Sequence, residues 1–539
     1  MELPGSVIER LGRLAPDQRA AATAPSGPIL CVAPAGSGKT TTLVARAAWL
    51  TATGTSPDRI RAITFNKRAA EEMTERLDAA LEPLGVEPGT VAVRTFHALG
   101  REILRDAGAP VEPLADRDAV LRTIRPHADA TERMRLDTAI SRLKLELGVT
   151  AEQVAADPNA GPSAMAFVEY ERAVAASGGL DFDDLVLRAI DALSADEAVL
   201  SRWRERCGEL LVDEVQDVDR AQLRLALLLA APANRIFLVG DDDQSIYGWR
   251  LADVRRVLGL AALLPGLRRV DLEVNHRCPP PVVERAVRLV EGNHERFAKR
   301  IRAGTRAAGS LILAPDGSDE TVRLRRVLDT WPDDGSTRAV LARTNRELLP
   351  AVAVALQLGW PFRAPRIELA LESPLVDEAL SLLRDAPERS PLVAIARLRA
   401  EARETGRRGL AGVSGDLLGW AAPYPSIAAL ASVVADGRSR LANLRRDDAP
   451  FSLATAHATK GLEFDHVVVI GMEEGRFPSR RSLQNAADPA RALEEERRLA
   501  YVAWTRARRT LTLLYDPLVP SPFLLEAFSP DELGLPAAA

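Results

Sequence analysis

Residues 33–41 read "APAGSGKTT", a run whose residue types and spacing suit one task, holding a triphosphate. Gly36 and Gly38 let successive backbone N–H groups turn inward around phosphate oxygens. Lys39 is placed to reach the β- and γ-phosphates, and the Thr40 hydroxyl to ligate Mg²⁺. Ala33 stands where such loops usually begin with glycine; Pro34, Ala35, Ser37 and Thr41 complete the segment. Further on, "LLVDEVQD" ends an apolar run in two adjacent acids. Asp213 is placed for Mg²⁺, directly or through water, and Glu214 for taking a proton from an attacking water. Alone, such a pair would more often be a solvated loop; a phosphate loop upstream in the same chain favours the chemistry. ATP and Mg²⁺ are therefore the expected cofactors. A guanine reader of the N-K-x-D kind is not found, because "FNKR" at 65–68 lacks the Asp.

These residues need rigid supports. "ILCV" before the loop is a short apolar run, and "TTLVARAAWL" after it has helical spacing, so the loop joins a strand to a helix. "IRAITF", "ELLVD" and "RIFLVG" are further strand-like runs, each followed by polar or helical sequence. Strands alternating with helices imply a parallel sheet covered on both faces. From about 101 to 185 the chain is polar and helical in pattern, and the strand–helix alternation resumes with "RAVLARTN" near 338. A second polar helical stretch runs from about 383 to 450, before "FSLATAH", "FDHVVVIGM" and "TLTLLY".

At 539 residues, several domains are expected. No long apolar run and no charged-then-apolar leader is present, so neither a membrane span nor a signal peptide is predicted. Cys31, Cys207 and Cys278 are far apart and odd in number, which argues against a disulfide framework or a zinc cluster and fits a reducing cytoplasm. The net charge of −5 gives no hint of nucleic acid, although basic residues lining one groove would suffice. Only five of the cationic residues are lysines, and Lys39, Lys67 and Lys460 fall inside motif segments.

The order of motifs resembles the UvrD/Rep family of superfamily-one DNA helicases over about residues 14 to 510. By that resemblance, "LAPDQRAA" brings Gln18 to an adenine edge, and "AITFNKRAAEEM" brings Phe65 to a DNA base with Arg68 at a position usually held by Lys. "RTFHALG" contributes Thr95, Phe96 and His97 as DNA contacts. For Phe65 and Phe96, core packing is an equally good reading. In "VGDDDQSIYGWRLAD", Gln244 would contact the γ-phosphate and the attacking water, with Tyr247 and Trp249 between successive bases. Chemistry independent of the family agrees: two aromatics beside Arg250 in a Gly-containing turn make a poor core segment and a good stacking platform, worth about 1–3 kcal/mol per base. "EVNHRCPPPVVERA" would supply Arg277 as an arginine finger, with His276 replacing the family's adenine-stacking Tyr. "LATAHATKGLEFDHVVVIG" would bring Thr455 and His457 to the DNA backbone and Gly461 and Glu463 to the ATP sugar and phosphates. "YVAWTRARR" would supply Arg506 as a second arginine at the γ-phosphate, while Trp504 packs.

The resemblance implies two RecA-like P-loop lobes of α/β class with parallel sheets, each interrupted by a mainly helical insertion. The expected boundaries are 1–100 and 186–275 for the ATP-binding lobe, with 101–185 as its insertion. For the second lobe they are 276–382 and 451–530, with a short accessory insertion at 383–450. The lobe with Lys39, Asp213, Glu214 and Gln244 would close on ATP against the one with Arg277 and Arg506, driving movement on single-stranded DNA, 3′→5′ by resemblance. The implied activity is a DNA-dependent ATPase and helicase (a hydrolase and isomerase) in repair or replication. Its implied partners are single-stranded DNA, single/double-strand junctions and repair proteins. The short second insertion points to weak or partner-dependent unwinding, and no nuclease segment follows the last motif. A nucleotide-gated DNA clamp and an interaction subunit of a repair complex are the alternatives, and stacking on bases does not by itself exclude RNA.

Overall fold

The computed structural model describes residues 3–305, 308–384, 386 and 390–535. Residue contacts divide the chain into two units, Met1–Ala308 with Asn485–Thr505, and Gly309–Gln484 with Arg506–Ala539.

The first unit is built on six parallel strands: β1 (Ile29–Val32), β2 (Ile60–Thr64), β3 (Ala92–Thr95), β4 (Glu209–Val212), β5 (Ile236–Gly240) and β6 (Arg268–Asp271). Their order across the sheet is β3-β2-β4-β5-β1-β6. Every residue of β1, β4 and β5 is buried, as a sheet covered by helices on both faces requires, and this is why these strands read as unbroken apolar runs. β1 pairs in register with β5, Val32 opposite Gly240. Beyond them, two-residue strands β7 (Val274–Asn275) and β8 (Arg302–Ala303) pair with each other.

The second unit carries β9 (Ser310–Pro315), β10 (Arg338–Ala342), β11 (Phe362–Arg363), β12 (Phe451–Thr455), β13 (Phe464–Val469) and β14 (Ala507–Tyr515). They form another parallel sheet, ordered β11-β12-β10-β13-β14-β9. Both units thus have the expected α/β architecture, and each sheet is interrupted in sequence by helices.

The insertions have cores of their own. In the first unit, Leu121, Leu136, Ile140, Phe167 and Val174 form a separate cluster. The helices on either side of it, Phe96–Asp106 and Phe182–Ala195, instead bury Leu99, Ile103, Val186 and Ile190 in the main core. The independent part is therefore narrower than the 101–185 expected from polarity, because those two helices are amphipathic and face the sheet. A buried ion cluster fastens the insertion to them. Arg117 pairs with Asp181 at 2.6 Å and Asp183 at 2.7 Å, and Lys144 with Asp181 at 3.0 Å and Asp184 at 2.8 Å. In the second unit, the helices Pro374–Arg384, Pro391–Glu404, Arg408–Ala421 and Ile427–Leu444 gather around Val376, Ile395, Leu417 and Val434. Residues 385 and 387–389 of the expected 383–450 insertion lie outside the described residues.

Two placements differ from the sequence-based boundaries. Residues 276–308 belong with the first unit, not the second, because β7 and β8 pair there. The helix Pro489–Trp504 also belongs with the first unit, so the "YVAWTRARR" segment is divided after Thr505. Among the described residues no helix is long and apolar enough to cross a membrane. The three cysteines are buried and none is in a disulfide.

The two flanking helices meet at Gly100, where an added Cβ would lie 2.2 Å from the Leu185 carbonyl oxygen. Gly100→Ala is expected to destabilise the first unit by about 1–3 kcal/mol through this overpacking, read as a lower urea midpoint for its unfolding.

Candidate functional site

The strands of the first sheet bring three loops to one edge. Ala33 N–H donates to the Gly240 carbonyl at 2.8 Å, which seats the start of the phosphate loop on the end of β5. The loop then turns through Gly36 (φ +68°) and Gly38 (φ +83°), conformations that side chains rarely adopt. Space demands glycine as well. A Cβ on Gly36 would lie 2.5 Å from Asn275 Oδ1 and 2.7 Å from Arg277 Cβ, and one on Gly38 would lie 2.5 Å from Gln18 Nε2. Lys39 and Thr40 open the helix Lys39–Ala52, whose first turn presents unsatisfied N–H groups toward the loop. The Lys39 ammonium donates to the Ala33 carbonyl at 3.1 Å, curled over the loop it would leave for a phosphate. Ser37 is buried, with its hydroxyl on the Pro34 carbonyl at 2.7 Å; Pro34 and Ala35 are buried too, and Thr41 is exposed. Such a cradle of inward-turning backbone, with one lysine and one hydroxyl, fits a nucleotide triphosphate with Mg²⁺.

Gln18 is buried against this loop. Its Nε2 donates to the Ser37 carbonyl at 2.8 Å, and its Oε1 accepts from Ala15 N–H at 3.0 Å. Arg277 stands on the opposite side of the loop, in the same unit as Lys39. The His276 N–H donates to the Gly36 carbonyl at 2.9 Å, and the Arg277 guanidinium donates to the Thr505 carbonyl at 3.2 Å. Arg277 was expected in the second lobe. The reason it falls here is Asn275, whose Oδ1 accepts from the N–H groups of both Arg277 and Cys278 at 2.9 Å and folds the segment onto the loop. His276 is exposed at this rim.

The acids follow. Asp213 caps β4, buried, with its N–H on the Ile63 carbonyl at 2.9 Å. Glu214 adopts φ +51°, a strained value for a non-glycine residue, and accepts from Gln216 Nε2. Gln216 is itself buried and ties two loops together, because its Oε1 accepts from Asp241 N–H at 2.9 Å. Gln244 closes the set: buried, its Nε2 donates to Asp241 Oδ2 at 2.6 Å.

Three residues past Gln244 the same turn becomes aromatic. The Phe65 and Tyr247 rings stack with centroids 5.2 Å apart and planes 7° apart, and Trp249 meets Tyr247 edge-on. Trp249 is 53% exposed, with the Arg250 guanidinium 4.8 Å from its ring. Phe65 and Trp249 line an open groove of about 1700 Å³ that Thr95 and His97 also border. Thr95 caps the helix Phe96–Asp106 through its side chain. Burial pulls the His97 pKa down, aided by Arg250, against the opposing pull of Asp183 and Asp181. Phe96 is corrected: its ring is buried among Leu99, Ile103 and Leu185 and offers no surface to a ligand. Arg68 lies on the exposed helix face, paired with Glu72 at 2.9 Å.

In the second unit, Thr455 ends β12, and His457 lies in the short turn Ala456–Thr459 that follows it. Gly461 has φ +83°, and Glu463 pairs with Arg508 at 3.4 Å. Arg506 is buried, with its guanidinium on the Leu462 carbonyl at 3.1 Å. Trp504, at the end of the first unit's last helix, is fully buried, as packing requires.

Residues 14–263 match the UvrD/REP helicase N-terminal domain, and residues 434–516 the UvrD-like helicase C-terminal domain. DNA helicase II of Escherichia coli (strain K12) is 31% identical over 613 residues, covering 92% of this chain and 84% of its own. The chain belongs to the UvrD/Rep helicase family. ATP-dependent DNA helicase UvrD2 of Mycobacterium tuberculosis (strain ATCC 25618 / H37Rv) is also 31% identical, over 92% of this chain and 77% of its own. ATP-dependent DNA helicase PcrA of Staphylococcus aureus (strain MRSA252) is 26% identical over 94% and 83%.

Several residues of this UvrD/Rep chain that shape the site escaped the sequence reading. Gln216 and Asn275 stand inside the quoted segments, but an amide side chain has no chemistry that marks it out until its partners are known. Phe182, 57% exposed on the groove and 5.2 Å from His97, has no neighbour in the sequence that separates it from a core phenylalanine.

Two outcomes follow from this geometry. Gly36→Ala is expected to abolish nucleotide binding in calorimetry, since the added carbon meets Asn275 and Arg277. Burial, with Arg343 adding to it, pushes the His457 pKa down from its ordinary 6.5 to about 3. The folded state therefore holds this imidazole neutral, and its contribution is intact above pH 6.5 and lost as pH falls from there toward 3. Unfolding free energy should drop by up to about 1.4 kcal/mol per pH unit below that point, and His457→Asn should flatten the slope in urea titrations.

Proposed function

We propose that this chain is an ATP-driven motor that moves along single-stranded DNA and separates duplexes, 3′→5′, in DNA repair or replication. One observation carries the reading: the turn that starts with Gln244 at the phosphate edge runs through Tyr247, stacked on Phe65, to Trp249 on the groove. A change at the nucleotide is therefore felt within a few residues by the stacking rings. Kinship with proteins named DNA helicase II, ATP-dependent DNA helicase UvrD2 and ATP-dependent DNA helicase PcrA supports the DNA substrate and the use of ATP. The direction and the pathway rest on the motif resemblance alone.

In this reading Lys39 and the loop N–H groups bind the β- and γ-phosphates, and Gln18 and His276 hold the adenine end. Thr40 and Asp213 hold Mg²⁺, which when bound offsets phosphate charge and polarises the γ-phosphoryl group. Glu214 takes the proton of the attacking water while Gln244 orients it. Arg277 and Arg506 are assigned the positive charges that meet the developing γ-phosphate, a role whose loss typically costs ~10³–10⁵ in rate. Gly461 and Glu463 are assigned to the sugar and phosphates. Phe65, Tyr247, Trp249, Thr95 and His97 grip the strand, Arg68 adds a charge nearby, and Thr455 and His457 contact its backbone. The accessory insertion is small, which supports a competent translocase whose unwinding depends on partners at single/double-strand junctions.

Lys39→Ala is expected to abolish turnover. Trp249→Ala should leave basal ATPase intact and weaken half-maximal stimulation by single-stranded DNA by about 5–150-fold, the equivalent of one lost stack at ~1–3 kcal/mol. Displacement of streptavidin from a biotinylated 3′ or 5′ strand end tests movement itself. Faster release from the 5′ end marks 3′→5′ travel, whereas strong ATPase with no displacement from either end would leave only a nucleotide-gated clamp.

A further inference from the structure

The acids that hold Gln244 in place stand in the quoted "VGDDDQ" run, but what holds those acids, residues 296–299, lies outside every motif read from the sequence. Asp241, Asp242 and Asp243 are consecutive, and all three are buried. Three carboxylates withdrawn from water at one place are untenable without cations and donors supplied from the protein. Residues 296–299 supply them. The Lys299 ammonium, itself buried, pairs with Asp241 at 3.1 Å, with Asp243 at 2.8 Å and, closer still, with Asp242. The Arg296 guanidinium forks onto both oxygens of Asp243 at 3.0 and 2.8 Å. The Phe297 N–H donates to Asp242 Oδ2 at 2.8 Å.

Asp241 links this brace to the chemistry. Its Oδ1 takes the Lys299 ammonium, and its Oδ2 takes the Gln244 amide at 2.6 Å. A carboxylate can only accept, so Nε2 must be the end of Gln244 that faces Asp241. Oε1 is then the end able to accept a hydrogen bond from water, which is the polarity the hydrolytic role needs. Electrostatics agree. Burial works to raise the Asp241 pKa, but Lys299 and then Lys39 outweigh it and hold the group below the ordinary carboxylate range, ionised as an acceptor. Burial, followed by repulsion from Asp243 and Asp241, instead pushes Asp242 up to about 6.

We propose that Lys299, assisted by Arg296, is a positioning residue for ATP hydrolysis: it fixes Asp241, and Asp241 fixes the orientation of the Gln244 amide. The inference rests on the reading of Gln244 given under the proposed function.

The test uses the full chain and keeps the net charge of the cluster unchanged. Lys299→Met combined with Asp242→Asn removes one charge of each sign and leaves Asp241 and Asp243 in place. With saturating oligo(dT), kcat should fall by about 10–100-fold, the scale of a misplaced catalytic group, while KM for ATP stays within about twofold. In a Gln244→Ala background the same pair of changes should cost less than about twofold more, because the brace acts through that side chain. A native kcat in the double variant, or an undiminished further loss in the Gln244→Ala background, overturns the proposal. If the double variant does not fold by circular dichroism, Lys299→Arg keeps the charge, displaces the ammonium from Asp241 and is read in the same cycle with the same outcomes. A native chain without DNA-stimulated ATPase would instead sink the proposed function, and this inference with it.

Discussion

Burial of the acids that follow β5 is the constraint on which the site depends. A parallel sheet ends its strands at one edge, and β5 ends in the middle of that edge, so the acids cannot reach solvent by a short turn outward. They are kept by being answered: Lys299 and Arg296 with charge, Phe297 and Asp243 with N–H groups, and Gln244 with an amide. A turn held at so many points has one conformation. That rigidity is what the proposed coupling between Gln244 and the Trp249 indole needs, since a loosely solvated acidic turn would transmit little between them.

The same edge explains why backbone freedom is concentrated where it is. Gly36 and Gly38 are required twice over, by positive φ and by side chains from Asn275, Arg277 and Gln18 that press against them. Gly240 is required for a third reason, since a Cβ there would lie 2.3 Å from Gln216 Oε1. Glu214 takes a left-handed backbone that glycine would adopt at no strain, a cost consistent with the base role proposed for its carboxylate.

The two-sheet architecture and the phosphate edge were legible because their signals are local: an apolar run, a glycine pair, an acid after a strand. The unit boundaries were less so. Helices Phe96–Asp106 and Phe182–Ala195 are polar enough on one face to resemble the insertion between them, and only their packing on the sheet separates them from it. Arg277 and the helix Pro489–Trp504 group by their contacts with the first unit, which chain order does not reveal when a chain crosses between units more than once. Lys144 and Lys299 drew no notice as single lysines; their meaning lies in carboxylates distant in sequence, Asp181 for one and Asp241 to Asp243 for the other. Phe65 and Phe96 follow strand ends in similar contexts, yet one ring faces a groove and the other the core. Sequence offers no term that separates them.

The groove itself is not strongly basic. Lys67, Arg101 and Arg135 border it, but so do Glu71, Asp116 and Asp137, in a chain whose net charge is −5. Binding that rests on phosphate neutralisation grows with each contact and must be undone against returning counterions at every step. Binding that rests on ring stacking is short-ranged, tolerant of sequence and lost all at once when a ring moves by an ångström or two. A protein that grips a strand, shifts and grips again, as proposed for this one, is better served by the second kind of contact, which is the role the proposal gives to Phe65, Tyr247 and Trp249.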